Sequence, residues 1–176
     1  MDRLFAPWRI DWVRRREPAS EGCVFCEMWE ADDDGDSLVV ARSERTFVVM
    51  NNSPYNPGHA MVVPAAHEAR YEKLSHDDVV DHARVKQLTF EAMERAFEPD
   101  GYNTGLNLGS GAGGSIDDHL HTHVVPRWQD DTNFLPATAD VKVIVQEIDE
   151  SYDELRRGFE SLEDVEAGGD GAVRLR

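Results

Sequence analysis

The segment HLHTHVV, from His119 to Val125, places a histidine at every second position. Its other residues, Leu120, Thr122 and Val124 among them, favour a β-strand. Alternate side chains of a strand share one face, so the pattern predicts three imidazoles in a row, each about 7 Å from the next. Such a row can bind a metal, hold an anion, or supply a nucleophile and a proton carrier. The plainer alternative is the polar outer face of a sheet.

The charge balance narrows the range of partners. The chain has 176 residues, enough for one domain with a proper core, and carries 35 acidic against 18 basic side chains, a net charge of −17. A surface of this sign repels nucleic acid and anionic lipid. No apolar run approaches the roughly 18 residues that span a bilayer, and the first residues lack the apolar centre of a signal peptide. We therefore expect a cytoplasmic protein that binds neither nucleic acid nor membrane.

The same acidity suits a protein from a salt-loving organism, because high salt screens self-repulsion. This hypothesis predicts that the fold is more stable in concentrated salt than in dilute buffer. Equal stability in both conditions would count against it.

The hydrophobic pattern predicts five strands and a long helix before residue 135. A Ser75 cap, with Asp78 three residues later, begins the helix, and the segment 99–101 ends it. Alternating apolar residues and turn formers define the strands, at 38–42, 45–50, 59–64, 102–109 and 119–126.

Beyond Pro136 the apolar residues recur at three- and four-residue steps, from Val141 to Leu162. This spacing predicts an extra amphipathic helix with an acidic outer face, packed on the body or on a second subunit. The glycine-rich segment 166–176 is expected to fray. The chain thus divides into residues 1–135 and a C-terminal extension, 136–176.

Cys23 and Cys26, the only cysteines, have the two-residue gap of a metal knuckle. A structural disulfide is disfavoured in a cytoplasmic protein. A zinc ion would need two further ligands. The alternative is a reduced pair at the edge of the core.

Three segments together resemble the histidine triad family, whose signature alternates histidines with apolar residues. They are NNSPYNPGHAMVVP (51–64), GLNLGSGAGGS (105–115) and HLHTHVV (119–125), and the likeness extends over roughly residues 4 to 135. Thr122 stands where the signature has an apolar residue, but a strand would point it away from the histidines. The glycine loop and Trp128 most resemble the branch that includes diadenosine tetraphosphate phosphorylases.

The resemblance implies an α+β fold, with a five-stranded antiparallel sheet and a long helix packed on it, in a homodimer of sheets joined edge to edge. It also implies a two-step nucleotidyl transfer on dinucleoside polyphosphates or nucleoside phosphoramidates. The nucleophile falls at His121, which attacks phosphorus to form a nucleotidyl-histidine. In the family a backbone carbonyl of the same strand fixes its tautomer.

The family's other site residues carry over by position. His123 and His59 surround the reacting phosphate, and Ser115 donates to the leaving oxygen. The remaining positions contact substrate: Asn51, Asn107, Gly113, Gly114 and Trp128. Taken singly, Asn51 could be a turn residue, the glycine loop a plain turn and Trp128 a core residue.

Some family members carry the cysteine pair and complete a zinc site with two histidines, which match His67 and His119. Zinc would then be a structural cofactor that pins an N-terminal knuckle to the 1–135 domain. His119 would serve structure, while His121 and His123 serve chemistry.

Two other functions stay open. One is a nucleotide-binding sensor or scaffold with little turnover, and the other is a purely metal-binding protein. Within the enzyme hypothesis the second acceptor, water or inorganic phosphate, is also open, as is the leaving group.

Overall fold

The computed structural model describes residues 22–31, 33–114, 116–129, 131, 146–166, 168–169 and 171–176. The predicted roles of Ser115 and the predicted start of the C-terminal helix at Val141 lie outside these residues. Within them, the longest helices are too polar or too short to cross a bilayer.

One mixed sheet of seven strands organises the chain, in the order β4-β5-β3-β2-β1-β7-β6. The strands are β1 (Val39–Arg42), β2 (Thr46–Met50), β3 (Ala60–Pro64), β4 (Gly101–Leu106), β5 (Thr122–Arg127), β6 (Val165–Glu166) and β7 (Val173–Leu175). The first five are the predicted strands, and they pair antiparallel as predicted.

The predictions of five strands and of a frayed segment 166–176 were wrong, because β6 and β7 extend the sheet. β7 pairs with β1 in parallel, with Ala41 opposite Val173. Val173 and Leu175 are buried while Arg174 between them is exposed, so the tail has a strand's alternation and covers the edge of β1. Its glycine content hid this short pattern.

Two helices cover one face of the sheet. Helix α2 (His76–Phe97) begins as predicted, since the Ser75 hydroxyl accepts from the Asp78 N–H at 3.1 Å. Helix α3 (Ile148–Glu160) buries Leu155 and Phe159 in the same core. A Cβ at Gly158 would lie 2.4 Å from the Ala92 carbonyl oxygen, so this glycine permits the close crossing of α2 and α3. The extension therefore packs on the body, one of the two predicted arrangements.

A short helix, α1 (Val24–Glu30), covers the middle of the other face. Its Phe25 is 1% exposed and packs with Phe47, Val49 and Met61. At the β4–β5 end this face carries the triad.

Buried Arg42 holds the C-terminal end of α1. It pairs with Asp34 through a 2.6 Å hydrogen bond and donates to the carbonyls of Met28 and Trp29, at 2.6 and 3.0 Å. Asp34 in turn accepts from the Ala172 N–H at 2.9 Å. One ion pair thus ties α1, β1 and the last strand together, and its polar atoms are satisfied.

Candidate active site

The triad does not form one uniform row. Strand β5 begins at Thr122, and the pairing of β3 with β5 stops at Val62 opposite Thr122. Pro64 has no N–H to continue that ladder, and the Leu120 N–H turns instead to the Glu68 carbonyl at 2.8 Å. His119 and His121 therefore precede the strand that the sequence pattern predicts for them, and only His123 lies on it.

His121 is 6% exposed, and its Nδ1 lies 2.9 Å from the carbonyl oxygen of His119. A carbonyl can only accept, so Nδ1 carries the proton and the lone pair is on Nε2. Burial lowers the pKa of His121, and the backbone hydrogen bond offsets this in part. The imidazole is thus neutral at physiological pH, and within the described residues Nε2 has no hydrogen-bond partner. This is the state a nucleophile needs.

His59 and His123 form a second, directional pair. The Tyr55 N–H donates to His59 Nδ1 at 3.1 Å, which places the proton of a neutral His59 on Nε2. His59 Nε2 then donates to His123 Nδ1, at 3.1 Å, which places the proton of His123 on its own Nε2. The ring centroids of His121 and His123 are 5.0 Å apart. A ring with a lone pair on Nε2 and a ring with a proton on Nε2 are therefore neighbours.

Two asparagines lie beside this pair. The Asn107 amide nitrogen is 3.5 Å from His123 Nε2, and the Asn51 amide nitrogen is 3.5 Å from His59 Nε2. The Asn51 oxygen also accepts from the Ser53 N–H at 2.9 Å. Asn51 is therefore a turn residue and a neighbour of the histidines at once, so its two predicted interpretations are compatible.

The glycine loop stands at the mouth of the site. Gly109 and Gly113 adopt φ of 76° and 79°, in the left-handed region that favours glycine. A Cβ on Gly114 would lie 3.1 Å from the Asn107 Cβ. The loop thus lies beside the asparagine that neighbours His123, and the phosphate contacts of Gly113 and Gly114 stay a prediction.

A groove of about 280 Å³ leads away from His123 along β4 and β5. Gly105 and Val125 are on its floor, and Arg127 is at its far end. Arg127 is held by Asp131 through hydrogen bonds at 2.5 and 2.8 Å and also donates to the Asn103 side chain. This pair lowers the pKa of Asp131 to about 2.

Trp128, predicted to line the pocket, is half-buried beside this groove. It is not among the described residues that line it. Its backbone N–H donates to the Asp131 carboxylate at 3.2 Å.

The predicted metal ligands meet on the other side of His121. The donor atoms of Cys23, Cys26, His67 and His119 all lie within 4.8 Å of one another. The Nδ1 atom of His119 is 3.3 Å from the Cys23 sulfur and 3.7 Å from the Cys26 sulfur. Nitrogen and sulfur on a tetrahedral zinc ion stand about 3.5 Å apart, so these two distances suit a zinc ion.

The surroundings of the cluster also suit a cation. The second nitrogen of His119, Nε2, donates to the Pro64 carbonyl at 2.7 Å, which leaves Nδ1 to face the sulfurs. Burial and the neighbouring Cys23 raise the pKa of the Cys26 thiol to about 11. Two adjacent thiols become thiolates together only beside a positive charge, which is what a metal ion supplies.

Sequence reasoning missed three residues around the triad. Phe25 sits between the metal cluster and the nucleophile, with its ring centroid 5.4 Å from His119 and 5.1 Å from His121. Tyr55 stacks on His59 at 4.9 Å. Buried His82 of α2 lies 3.1 Å from the Thr122 hydroxyl, which explains the polar residue in the signature. Thr122 faces away from the triad as predicted.

Known proteins share both the sequence and the fold. The HIT domain model matches residues 33–130, more than half of the chain. An AP-4-A phosphorylase of Mycobacterium tuberculosis is 39% identical over 153 residues, 83% of this chain and 78% of that protein. An adenosine 5'-monophosphoramidase of Schizosaccharomyces pombe is 29% identical, over 60% of this chain and 74% of the other.

Among solved structures, a Zn-bound histidine triad family protein from Mycobacterium smegmatis superposes with a TM-score of 0.67 at 25% identity. The match covers 82% of this chain and 98% of that one. The motifs, the fold and these matches agree, and the chain belongs to the HIT domain family.

Proposed function

We propose that the protein is a nucleotide hydrolase or phosphorylase that works through a covalent nucleotidyl-histidine on His121. The single observation that carries this proposal is the 2.9 Å hydrogen bond from His121 Nδ1 to the His119 carbonyl, which leaves the lone pair on Nε2. The substrates are dinucleoside polyphosphates or nucleoside phosphoramidates, in line with the names of the phosphorylase and phosphoramidase relatives.

In the first step the His121 Nε2 lone pair forms a bond to the α-phosphorus. The bond from phosphorus to the leaving oxygen or nitrogen breaks in line, and its electron pair departs with the leaving group. His123, whose Nε2 carries a proton, donates to a phosphate oxygen or to the leaving atom. His59 keeps His123 in that tautomer, because its own proton points to His123 Nδ1.

In the second step an acceptor attacks the phosphorus of the intermediate. The P–N bond breaks and its electron pair returns to His121 Nε2. Water as acceptor releases a nucleoside monophosphate, and inorganic phosphate releases a nucleoside diphosphate. Gly113, Gly114, Asn107 and Asn51 remain proposed substrate contacts, Ser115 a proposed donor to the leaving group, and Trp128 a residue at the border of the site.

The proposal includes one structural zinc ion per chain, held by Cys23, Cys26, His67 and His119. Such an ion contributes folding free energy by fastening α1 to the sheet. The fit of the four donor atoms supports this assignment, and metal analysis of the purified protein tests it.

A homodimer is also proposed. In the described part of the chain β4 pairs only with β5, so its outer edge offers unpaired backbone groups, among them those of Thr104. A second copy of the same edge could pair with it antiparallel. Sedimentation of the wild type against Thr104→Pro tests this, since proline removes a donor from that edge.

The deciding experiment compares His121→Asn with wild type on diadenosine tetraphosphate, with and without inorganic phosphate. Wild type is expected to yield a nucleotide adduct of the protein, seen as a mass increase in quenched samples, and His121→Asn is expected to yield neither adduct nor product. Exposed His76→Asn is the matched control and keeps wild-type turnover. Undiminished turnover by His121→Asn would rule out this nucleophile.

The search for an adduct also distinguishes the enzyme from the two alternative functions, a nucleotide sensor and a metal-binding protein. A nucleotide sensor binds adenosine monophosphate but forms no adduct on His121. A purely metal-binding protein would lose nucleotide affinity when metal is removed and would likewise form no adduct.

A further inference from the structure

We infer that His82 is a positioning residue of the triad, which acts through Thr122 from the opposite face of the sheet. It fixes the backbone between His121 and His123, and so sets the position of one ring relative to the other. The inference rests on the proposed function and deepens it, because it assigns a role in nucleotidyl transfer to a residue on the helix-covered side of the sheet.

The contact between His82 and Thr122 lies in the apolar core under helix α2. Val85 of α2, Val62 of β3 and Val124 of β5 belong to this core and are fully buried. His82 is 2% exposed and Thr122 is 1% exposed. Burial of an imidazole and a hydroxyl costs free energy unless hydrogen bonds replace those to water, so this polar pair needs a specific arrangement.

The His82 imidazole bridges two strands. Its Nε2 atom lies 3.3 Å from the Val62 carbonyl oxygen of β3 and 3.1 Å from the Thr122 hydroxyl oxygen of β5. The carbonyl can only accept, so Nε2 carries the proton and donates it to both oxygens. Helix α2 therefore holds β3 and β5 together through one side chain.

The bridge lies at the point where β5 loses its neighbours. Val62 is the last partner of Thr122 on β3, and Leu106 is its last partner on β4. Within the described residues neither ladder continues toward His121. The contact from His82 therefore supports the chain at the last paired residue before the proposed nucleophile.

Thr122 stands between the two rings that the proposed reaction needs. His121 precedes it outside the ladders, and His123 follows it inside them, with ring centroids 5.0 Å apart. A shift at Thr122 therefore moves His121 relative to His123. Misplacement by about 1 Å can slow a reaction about 100-fold, so the expected effect is on the chemical step and not on nucleotide affinity.

The test compares the same substitution at two buried threonines, Thr122→Val and Thr89→Val. The Thr89 hydroxyl donates to the Val85 carbonyl of its own helix at 2.8 Å, which makes Thr89→Val the matched control. Thr122→Val is expected to slow adduct formation at saturating diadenosine tetraphosphate by about tenfold or more. Its affinity for adenosine monophosphate, measured by calorimetry, should stay at the wild-type value. Thr89→Val should keep both the rate and the affinity.

A second comparison changes the donor instead of the acceptor. His82→Gln retains an N–H near the end of the side chain and is expected to keep most of the adduct rate. His82→Leu retains no donor and is expected to lose about as much as Thr122→Val. The double variant of His82→Leu and Thr122→Val should be no slower than either single variant, because both remove the same contact.

Thermal unfolding of each variant verifies that it folds. In Thr122→Val the His82 imidazole keeps the Val62 carbonyl as acceptor, so this variant decides if His82→Leu does not fold. A wild-type adduct rate in Thr122→Val would overturn the inference. So would equal losses in Thr122→Val and Thr89→Val, or a loss of affinity as large as the loss of rate.

If wild type forms no adduct, the proposed function fails separately, and nitrogen NMR of the labelled imidazoles decides on the positioning role. Wild type and Thr89→Val should show His121 as one tautomer, with its proton on Nδ1. Thr122→Val and His82→Leu should also populate the second tautomer, because the hydrogen bond to the His119 carbonyl loosens. A single His121 tautomer in all these proteins would reject the inference.

Discussion

The face of the sheet that carries the triad has two halves, which differ in what lies above them. Over β2 and β3, helix α1 and the metal cluster bury Phe25 and His119 almost completely. Over β4 and β5, the groove leaves Asn103, Thr104 and Gly105 exposed. His121 stands at the boundary, touching Phe25 of the covered half and His123 of the open half.

The difference indicates that the histidines of the triad have different roles. The covered half holds His121, the proposed nucleophile, so we expect changes there to reduce stability and catalysis together. The open half is proposed to contact the substrate, so changes there should alter substrate preference at little cost in stability. The predictions below test this division.

The largest effect is expected in the covered half, from Cys23→Ser. Loss of one ligand removes the metal and releases α1, so bound zinc should fall from about one per chain to near zero. The free energy of unfolding should fall by more than about 4 kcal/mol. Metal analysis and denaturant unfolding measure both, and chelation of the wild-type metal should reproduce the loss. Full zinc content after both cysteines are replaced would refute the ligand assignment.

Phe25→Leu and Phe47→Leu form a matched pair in one cluster. Their rings pack edge to face at 6.3 Å, and each change should cost about 1 to 2 kcal/mol. Only Phe25 touches the His121 ring, so only its variant should slow nucleotide transfer, by about tenfold or more through misplacement of the nucleophile. Denaturant unfolding and adduct formation rates are measured on both. Equal rates for the two variants would mean that the covered half acts through stability alone.

A smaller effect on stability is expected from His82, which contacts Thr122 on the opposite face of the sheet. Burial lowers the pKa of His82 from the ordinary value of 6.5, so the unfolded chain binds a proton more readily than the folded one. Its stability contribution is complete above pH 6.5 and is lost as pH falls toward the lowered folded-state pKa. The free energy of unfolding should therefore fall as the pH drops below 6.5, and less steeply in His82→Asn. His76→Asn on the same helix is the control, and equal slopes in all three proteins would exclude His82 as the cause.

The smallest effect on stability is expected in the open half, from Asp131→Asn. Its ion pair with Arg127 is partly buried, with the Arg127 side chain 33% and the Asp131 side chain 10% exposed, so the loss should be about 1 kcal/mol. The folded-state pKa of Asp131 is about 2, so this difference from wild type should persist at neutral pH and vanish as pH falls through that value. Arg127 lines the groove beside His123, so its loosening should also lower the ratio of kcat/KM for diadenosine tetraphosphate to kcat/KM for adenosine phosphoramidate. A large loss of stability with no change in that ratio would contradict the division between the halves.

The sequence pattern was sufficient for the elements with clear periodicity. The five antiparallel strands, the Ser75 cap and the outward direction of Thr122 follow from local spacing and turn chemistry. The meeting of Cys23 and Cys26 with His67 and His119 was predicted through the family resemblance, because these residues lie far apart along the chain. The structure brings their donor atoms together.

The features that the pattern missed depend on distant contacts. The start of β5 at Thr122 depends on Pro64 across the sheet, and the pairing of β7 depends on β1. The contact of Phe25 with His121 depends on where α1 lies, and a phenylalanine between two cysteines does not itself indicate a partner. Hydrophobic periodicity reports which face of an element is buried but not what buries it.

The hydrogen bond between Asp34 and the Ala172 N–H joins residues 138 positions apart. During synthesis on the ribosome, Asp34 and Arg42 emerge long before the segment that completes their network. The central strands can pair at once, but α1 gains its full anchorage only when β7 has been translated. Contacts of such long sequence separation slow folding, so the last strand acts as the closing step in the biogenesis of the active site.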